Sequence, residues 1–298
     1  MIPFIKYKKI FFALTLAMVA ASVAAVAVWG LKPGIEFTGG SVMEIEYENE
    51  RPANDVVRQK IADAAQLQNV SVYASGDRGL IVRTENLNSE QYRKVADALA
   101  AEGDFEEKSF EAIGPMVGKE LTGKMLLLIS VSLVAMLFYI AVAFRNVPGR
   151  VSSWQYGIAS FLILCHDIIV PLGVFAALGA FLGVQITIPV ITALLIVVGY
   201  AINNVIVVYD RVRENLLRDH RADFAENANR AINQTLSRQI NTSLATLLPV
   251  FAIYFWGGAS LQHFATALIL GIAVGTYSSI FLAAPMLVLW REFRDRKR

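Results

Sequence analysis

Six apolar runs, each about as long as a bilayer core is thick, constrain this chain more than any other feature. They are Ile10 to Trp29, Met125 to Phe144, Gln155 to Leu182, Ile186 to Tyr209, Ile240 to Trp256 and Phe264 to Trp290. A hydrocarbon core of roughly 30 Å needs about 20 apolar helical residues, because a helix satisfies its backbone polar groups within itself. Composition agrees: 55% of residues are hydrophobic, only 17% are charged, and the mean hydropathy is +0.49. That is too apolar for an ordinary soluble domain. The expected class is a polytopic α-helical membrane protein with six transmembrane helices.

Six spans put both termini on one side, and the basic residues choose the side. Lys6, Lys8 and Lys9 precede the first run, Arg145 and Arg150 lie between the second and third, and six Arg fall between Arg211 and Arg238. Arg291, Arg294, Arg296, Lys297 and Arg298 form a basic tail, whereas the short loops Gly183 to Gln185 and Gly257 to His263 carry no Lys or Arg. The positive-inside rule then makes both termini cytoplasmic. The first run has a basic start and the small residues Ala21-Ser22-Val23-Ala24-Ala25, as a signal peptide would. It exceeds the roughly 7 to 15 residues of a signal core, so an uncleaved anchor is expected. The organisation is therefore residues 1–30 as N-terminus and first span, 31–123 as an outer domain, 124–290 as the remaining five spans with a cytoplasmic connection at 210–239, and 291–298 as a cytoplasmic tail.

The outer segment reads as a folded α+β unit. Ser41 to Glu48 alternates like a strand, Asn54 to Gln66 has helical spacing with Asn54 as its cap, and Val70 to Ala74 is strand-like. A turn at Ser75-Gly76-Asp77 precedes a strand over Gly79 to Thr84, a helix over Ser89 to Glu102 with Ser89 as cap, and a strand over Phe105 to Ile113. The order βαββαβ is that of a ferredoxin-like domain. It holds no catalytic constellation, which leaves a contact surface as the expected role.

Nucleotide and metal chemistry find no support. The chain lacks a GxxxxGK[ST] phosphate loop, an HExxH pair and a GxSxG elbow. Of three His, only His166 adjoins the single cysteine, Cys165, which reads as a packing residue. No cofactor is expected, and no nucleic-acid partner.

Polar groups inside the apolar runs are then the functional candidates, because they are costly there. Asp167, in Leu164-Cys165-His166-Asp167-Ile168, lies on the order of 20 Å along its span at 1.5 Å per residue. A carboxylate at that depth must be paired, hydrated or protonated. Two readings stand: a proton-relay group, or a buried carboxyl that bonds a neighbouring helix; His166 is a supporting polar group. Around the start of the fifth run, Thr235, Arg238, Thr242 and Thr246 recur at i, i+3 and i+4 spacing beside Asn241, a stripe expected to face the bundle. Arg238 is either a snorkelling anchor or a fixed charge that tunes a carboxyl. Gly271-x-x-x-Gly275 followed by Ser279 is a small-residue packing seam. The charges of Asp210 to Ala231 form a solvated face. Asn203 and Asn204 sit side by side in a run otherwise fit for lipid.

Together these motifs resemble the SecF family, the six-span subunits of the bacterial SecDF export motor within the resistance-nodulation-division superfamily. The resemblance rests on Gly34-Ile35-Glu36-Phe37-Thr38-Gly39-Gly40, on Ile113-Gly114-Pro115-x-Val117-Gly118-x-Glu120-Leu121, and on His166-Asp167. Gly199-Tyr200, Asp210-Arg211-x-Arg213-Glu214-Asn215, Asn233-Gln234-Thr235-Leu236-Ser237-Arg238 with Thr242-Ser243, Gly257-Gly258 and Gly275-Thr276-Tyr277-Ser278-Ser279-Ile280 complete it. It implies a SecD-like partner, action after the SecYEG channel with YajC and YidC as further candidate partners, and a translocating preprotein in the periplasm. It also implies the bacterial inner membrane, protons as the coupling ion, a non-enzymatic motor, and a ferredoxin-like periplasmic domain.

The family places essential polar groups at the positions of Asn204, Arg238 and Thr242, with Asp or Glu where Asn204 stands. An amide carries no proton at accessible pH. Either the proton path runs through the partner's carboxyl and Asp167, or the chain is an inactive variant. Asn203 fits the family and is expected to hydrogen-bond between helices in the bundle interior. A proton-coupled transporter of small molecules or lipids from the same superfamily is the second reading. An intramembrane enzyme is the third, and it lacks a second membrane carboxyl to work with Asp167.

Overall fold

The computed structural model describes residues 1–145, 152–219 and 223–295. Arg150, Arg221, Arg296, Lys297 and Arg298, which entered the orientation reading, lie outside the described residues. The elements fall into two compact units, one of Met1–Leu31, Leu128–Val184 and Pro189–Arg298, the other of Lys32–Leu127 with Gln185–Ile188.

The first unit is helical. Its helices are α1 (Lys8–Trp29), the larger part of α5 (Pro115–Ala143), α6 (Ser153–Leu182), α7 (Ile188–Arg218), α8 (Phe224–Trp256), α9 (Ala259–Ser278) and α10 (Ala284–Asp295). Between α9 and α10 the helix continues through a π turn, Ser279–Ala283. Among the described residues, five helices are long and apolar enough to cross a membrane: Ile5–Trp29, Pro115–Ala143, Ser153–Leu182, Ile188–Arg218 and Leu261–Arg294. The expected fifth run lies in α8, which has 33 residues but is not among those five. Gln239, Asn241, Thr242, Ser243 and Thr246 dilute its apolar part with hydrogen-bonding groups.

Packing in this unit follows small residues and one continuous core. Phe4, Ile140, Tyr156, Val205, Ile232 and Leu287, drawn from six parts of the chain, belong to a single buried cluster. Gly173 of α6 lies against Ser22 of α1, and Trp29 and Phe181 meet edge to face at 5.2 Å. Apolar burial gives little drive between helices in lipid, so close approach at small residues carries much of the association.

The second unit contains a four-stranded antiparallel sheet in the order β2-β3-β1-β4, with β1 at Gly40–Tyr47, β2 at Ser71–Ser75, β3 at Gly79–Thr84 and β4 at Phe105–Ile113. A single turn, α2 (Ile35–Thr38), precedes β1, while α3 (Asn54–Ala65) and α4 (Ser89–Ala100) separate the strands. Strand alternation supplies one buried row, Met43, Ile45, Tyr47, Leu80 and Val82, and Val57, Ile61, Val95 and Leu99 of the helices close over it. The element order is the βαββαβ read from the sequence. Both helix caps differ from the sequence reading. Asn88, not Ser89, caps α4: its side chain accepts from the backbone N–H of Glu90 and Gln91, and Gln91 returns a bond to the Asn88 N–H. Ala53 holds the cap position of α3, while the Asn54 side chain accepts from Arg51 at 2.7 Å.

Candidate functional site

Three helices bring polar side chains together inside the first unit. Asp167 of α6 is fully buried. Its Oδ1 lies 2.9 Å from Nδ1 of His166, and its Oδ2 accepts from the Ser278 hydroxyl of α9 at 2.8 Å. His166 is buried as well, and its Nε2 has no hydrogen-bond partner. The Tyr277 ring stands 6.2 Å from the His166 ring, and its hydroxyl donates to the Phe11 carbonyl of α1 at 3.2 Å. This carboxyl sits in a hydrogen-bonded setting of imidazole and hydroxyl.

A second line of polar groups joins α8 to α9 and α7. Gln239 donates to the Thr235 hydroxyl at 3.1 Å and accepts from Ser279 at 2.6 Å. Ser243 shares a 2.6 Å hydrogen bond with Thr276 and a 2.8 Å bond with Tyr200. Sequence reasoning missed Gln239, Ser243, Thr276, Ser278 and Tyr200. Two signals were available: the i, i+4 recurrence of Thr235, Gln239 and Ser243, and the dense hydroxyls of Thr276-Tyr277-Ser278-Ser279.

The stripe expected to face the bundle is therefore corrected. Thr235 is buried, but Arg238 and Asn241 are exposed and Thr242 and Thr246 are half-buried. Thr242 donates to the Arg238 carbonyl at 2.8 Å and Thr246 to the Thr242 carbonyl at 2.9 Å, so both hydroxyls are spent on their own helix. On a helix of 100° per residue, Arg238 lies about 60° to one side of Thr235 and Gln239 about 40° to the other. The bundle takes the Gln239 side.

The two asparagines of α7 separate in the same way. Asn204 is 3% exposed and its Nδ2 has no hydrogen-bond partner. Asn203, expected in the bundle interior, is exposed, because its helix buries Ala201, Asn204, Val205 and Val208 and the preceding residue points about 100° away. Asn203, Arg238, Asn241 and the half-buried Thr242 thus form a polar face on α7 and α8 that this chain does not cover. A shallow cleft between those helices, lined by Ile206, Asp210, Arg211, Gln234, Thr235 and Arg238, borders it.

The small residues of α9 take two roles. A Cβ at Gly271 would lie 2.3 Å from a Val197 methyl, and one at Gly275 would lie 3.1 Å from the Ala201 Cβ and 3.8 Å from Asp167 Oδ2. Ser279, grouped with them in the sequence reading as a packing position, is instead the hydroxyl that holds Gln239.

Comparison with known proteins bears on this arrangement. Residues 94–293 match the family described as protein export membrane protein SecD/SecF, C-terminal, and residues 25–50 match the SecD/SecF GG motif. The protein translocase subunit SecF of Thermobaculum terrenum is 35% identical over 98% of this chain and 95% of that protein. The subunit SecDF of Thermus thermophilus is 35% identical over 95% of this chain, which spans 37% of that longer protein. A crystal structure of SecDF from the same organism, described as a translocon-associated membrane protein, superposes with a TM-score of 0.86 at 34% identity, covering 98% of this chain and 39% of its own. With family motifs at both ends and similarity along nearly its whole length, the chain belongs to the SecF family of protein translocase subunits.

Proposed function

We propose that this chain is the SecF half of a two-part motor that uses the proton-motive force to promote protein translocation across the bacterial inner membrane. The observation that carries the reading is the uncovered polar face of α7 and α8. Asn203 is exposed on an apolar helix and Arg238 and Asn241 on its neighbour α8, so a second helical bundle with complementary polar groups is the fitting cover. A SecD-like subunit supplies that cover, and the pair acts after the SecYEG channel on a preprotein emerging in the periplasm, with YajC and YidC as further associates. In this reading α8 is the sixth span, both termini are cytoplasmic, and residues 31–123 form a ferredoxin-like periplasmic domain.

Protons are the coupling ion, and neither a cofactor nor a catalysed bond change is involved. Asp167 is the titratable group this chain contributes, while Asn204 keeps the shape of a carboxyl without its proton. The relay then passes through Asp167 and a carboxyl of the partner.

Co-expression with a SecD-like subunit tests the reading. The two should co-purify, an Arg238→Glu variant should weaken the pair, and the intact pair should speed preprotein export in vesicles only under a proton gradient. Full gradient-driven export by this chain without a partner would overturn it, and stimulation of transport by a small molecule or lipid would favour the second reading.

A further inference from the structure

α9 ends on Ser278 and the π turn begins on Ser279, and these two consecutive serines hold different helices. Ser278 donates to Asp167 Oδ2 of α6 at 2.8 Å and to the Gly275 carbonyl at 3.1 Å. Ser279 donates to Gln239 Oε1 of α8 at 2.6 Å and to the Thr276 carbonyl at 2.9 Å. Both serines are fully buried. Neighbouring residues on a helix point about 100° apart, so one short stretch can tie two flanking helices at once.

Ser279 is also the first residue of the π turn Ser279–Ala283. Such a turn holds one residue more than a regular one, closes on i→i+5 hydrogen bonds, is rare, and occurs often at functional sites. Gln239 is fixed at both ends, by Thr235 on its own helix and by Ser279, and is 1% exposed. The residue before it is the outward Arg238.

We propose that Gln239 is a positioning residue of the motor: through Ser279 and Ser278 it ties α8, which carries Arg238, to the protonation of Asp167. The proposal deepens the proton-driven reading and rests on it. An ionised Asp167 accepts with both oxygens, one from the Ser278 hydroxyl. On protonation, the carboxyl takes a proton from the aqueous phase on one side and gains an O–H that itself needs an acceptor. A proton on Oδ2 makes Ser278 turn from donor to acceptor, or give up Asp167 and keep only the Gly275 carbonyl. A proton on Oδ1 is taken up by His166 Nδ1 and leaves Ser278 in place; the proposal concerns the first case.

The choice is made one residue from Ser279, where the regular helix gives way to the π turn. The groups facing Asp167 leave this exchange free. His166 lies beside it on α6, and α9 brings Ser278 and the bare Gly275, which itself packs on Ala201 of α7. Among the described residues no Lys or Arg forms an ion pair with it, and Tyr277 is the aromatic group nearest its His166 partner.

Hydrogen–deuterium exchange on the full chain with its SecD-like partner in nanodiscs tests this. Asp167→Asn fixes the site without charge. Relative to the unchanged complex, backbone amides of the π turn should shift in exchange rate by about fivefold, the factor that one net hydrogen bond gives. The Thr235 to Ser243 stretch of α8 should shift with them. In Gln239→Leu carrying Asp167→Asn, the π-turn shift should persist and the α8 shift should vanish.

An unchanged π turn in Asp167→Asn, or an α8 response that survives Gln239→Leu, would overturn the proposal. Should Asp167→Asn fail to assemble, stepping the unchanged complex between about pH 5 and pH 8 reads the same segments, corrected for intrinsic exchange. The readout is separate from export. Gradient-independent export with the Asp167-dependent exchange intact sinks only the proton-driven reading, and gradient-driven export without that exchange sinks only this proposal.

Discussion

Gly173 of α6 meets Ser22 of α1 so closely that a Cβ at position 173 would lie 2.3 Å from the Ser22 Cβ. The contact lets α1 and α6 approach closely at small residues, while Trp29 and Phe181 pack the same pair further along. Gly173→Ala should push the pair apart and destabilise the helical unit by about 1–3 kcal/mol, the usual range for overpacking. Thermal unfolding in detergent reads the loss. Ser22→Gly in the same chain should restore part of it, since the two positions share one contact.

At position 204 a buried amide leaves its Nδ2 without an acceptor. Asn204→Asp should add a proton-binding group and make export depend more steeply on the imposed proton gradient. The comparison is export rate against gradient in cells lacking the native subunit, and equal slopes for both forms would remove position 204 from the relay.

In the sheet-containing unit, the Asn88 cap should be worth about 1 kcal/mol. Asn88→Ala frees the Glu90 and Gln91 amides, while the backbone N–H at 88 can still donate to the Gln91 side chain. Amide exchange at the first turn of α4 should rise several-fold, while Ser89→Ala should leave it nearly unchanged.

Tyr47 titrates far from its ordinary range of 10.0, pushed up to about 12 by burial, while its hydroxyl donates to the Leu99 carbonyl at 3.2 Å. A raised value in the fold means that the folded chain holds this proton more tightly than the unfolded chain. Its contribution is therefore complete below about pH 10 and is lost as pH rises through about 12. Tyr47→Phe should cost about 1 kcal/mol at neutral pH and flatten the alkaline fall in stability between those limits. Near-ultraviolet circular dichroism followed against pH makes the comparison.

Local pattern accounts for what was readable in advance. Period-two alternation placed β1 within a residue, and Gly79 to Thr84 and Phe105 to Ile113 coincide with β3 and β4. The cap errors have a local cause: Asn88 and Ser89 are both good capping types, and the backbone bend that selects Asn88 is set by the chain before it. The inner site was less legible for a geometric reason. Helical spacing tells which residues share a face of α8, but not which side of Thr235 the bundle takes, and about 100° separates Arg238 from Gln239. Asp167 could be picked out from its run alone. Its partner Ser278 lies 111 positions away, and nothing in either segment signals the other.

The uncovered face of α7 and α8 has a consequence for supply. Wherever that face meets hydrocarbon, an arginine and two asparagines left exposed make the bilayer a poor solvent for this chain by itself, each group carrying a cost of kcal/mol order. Copies made in excess of whatever shields that face would be the ones membrane proteases find unfolded. The lifetime of the chain, and with it the amount a cell keeps, would then be metered by its neighbour rather than by its own rate of synthesis.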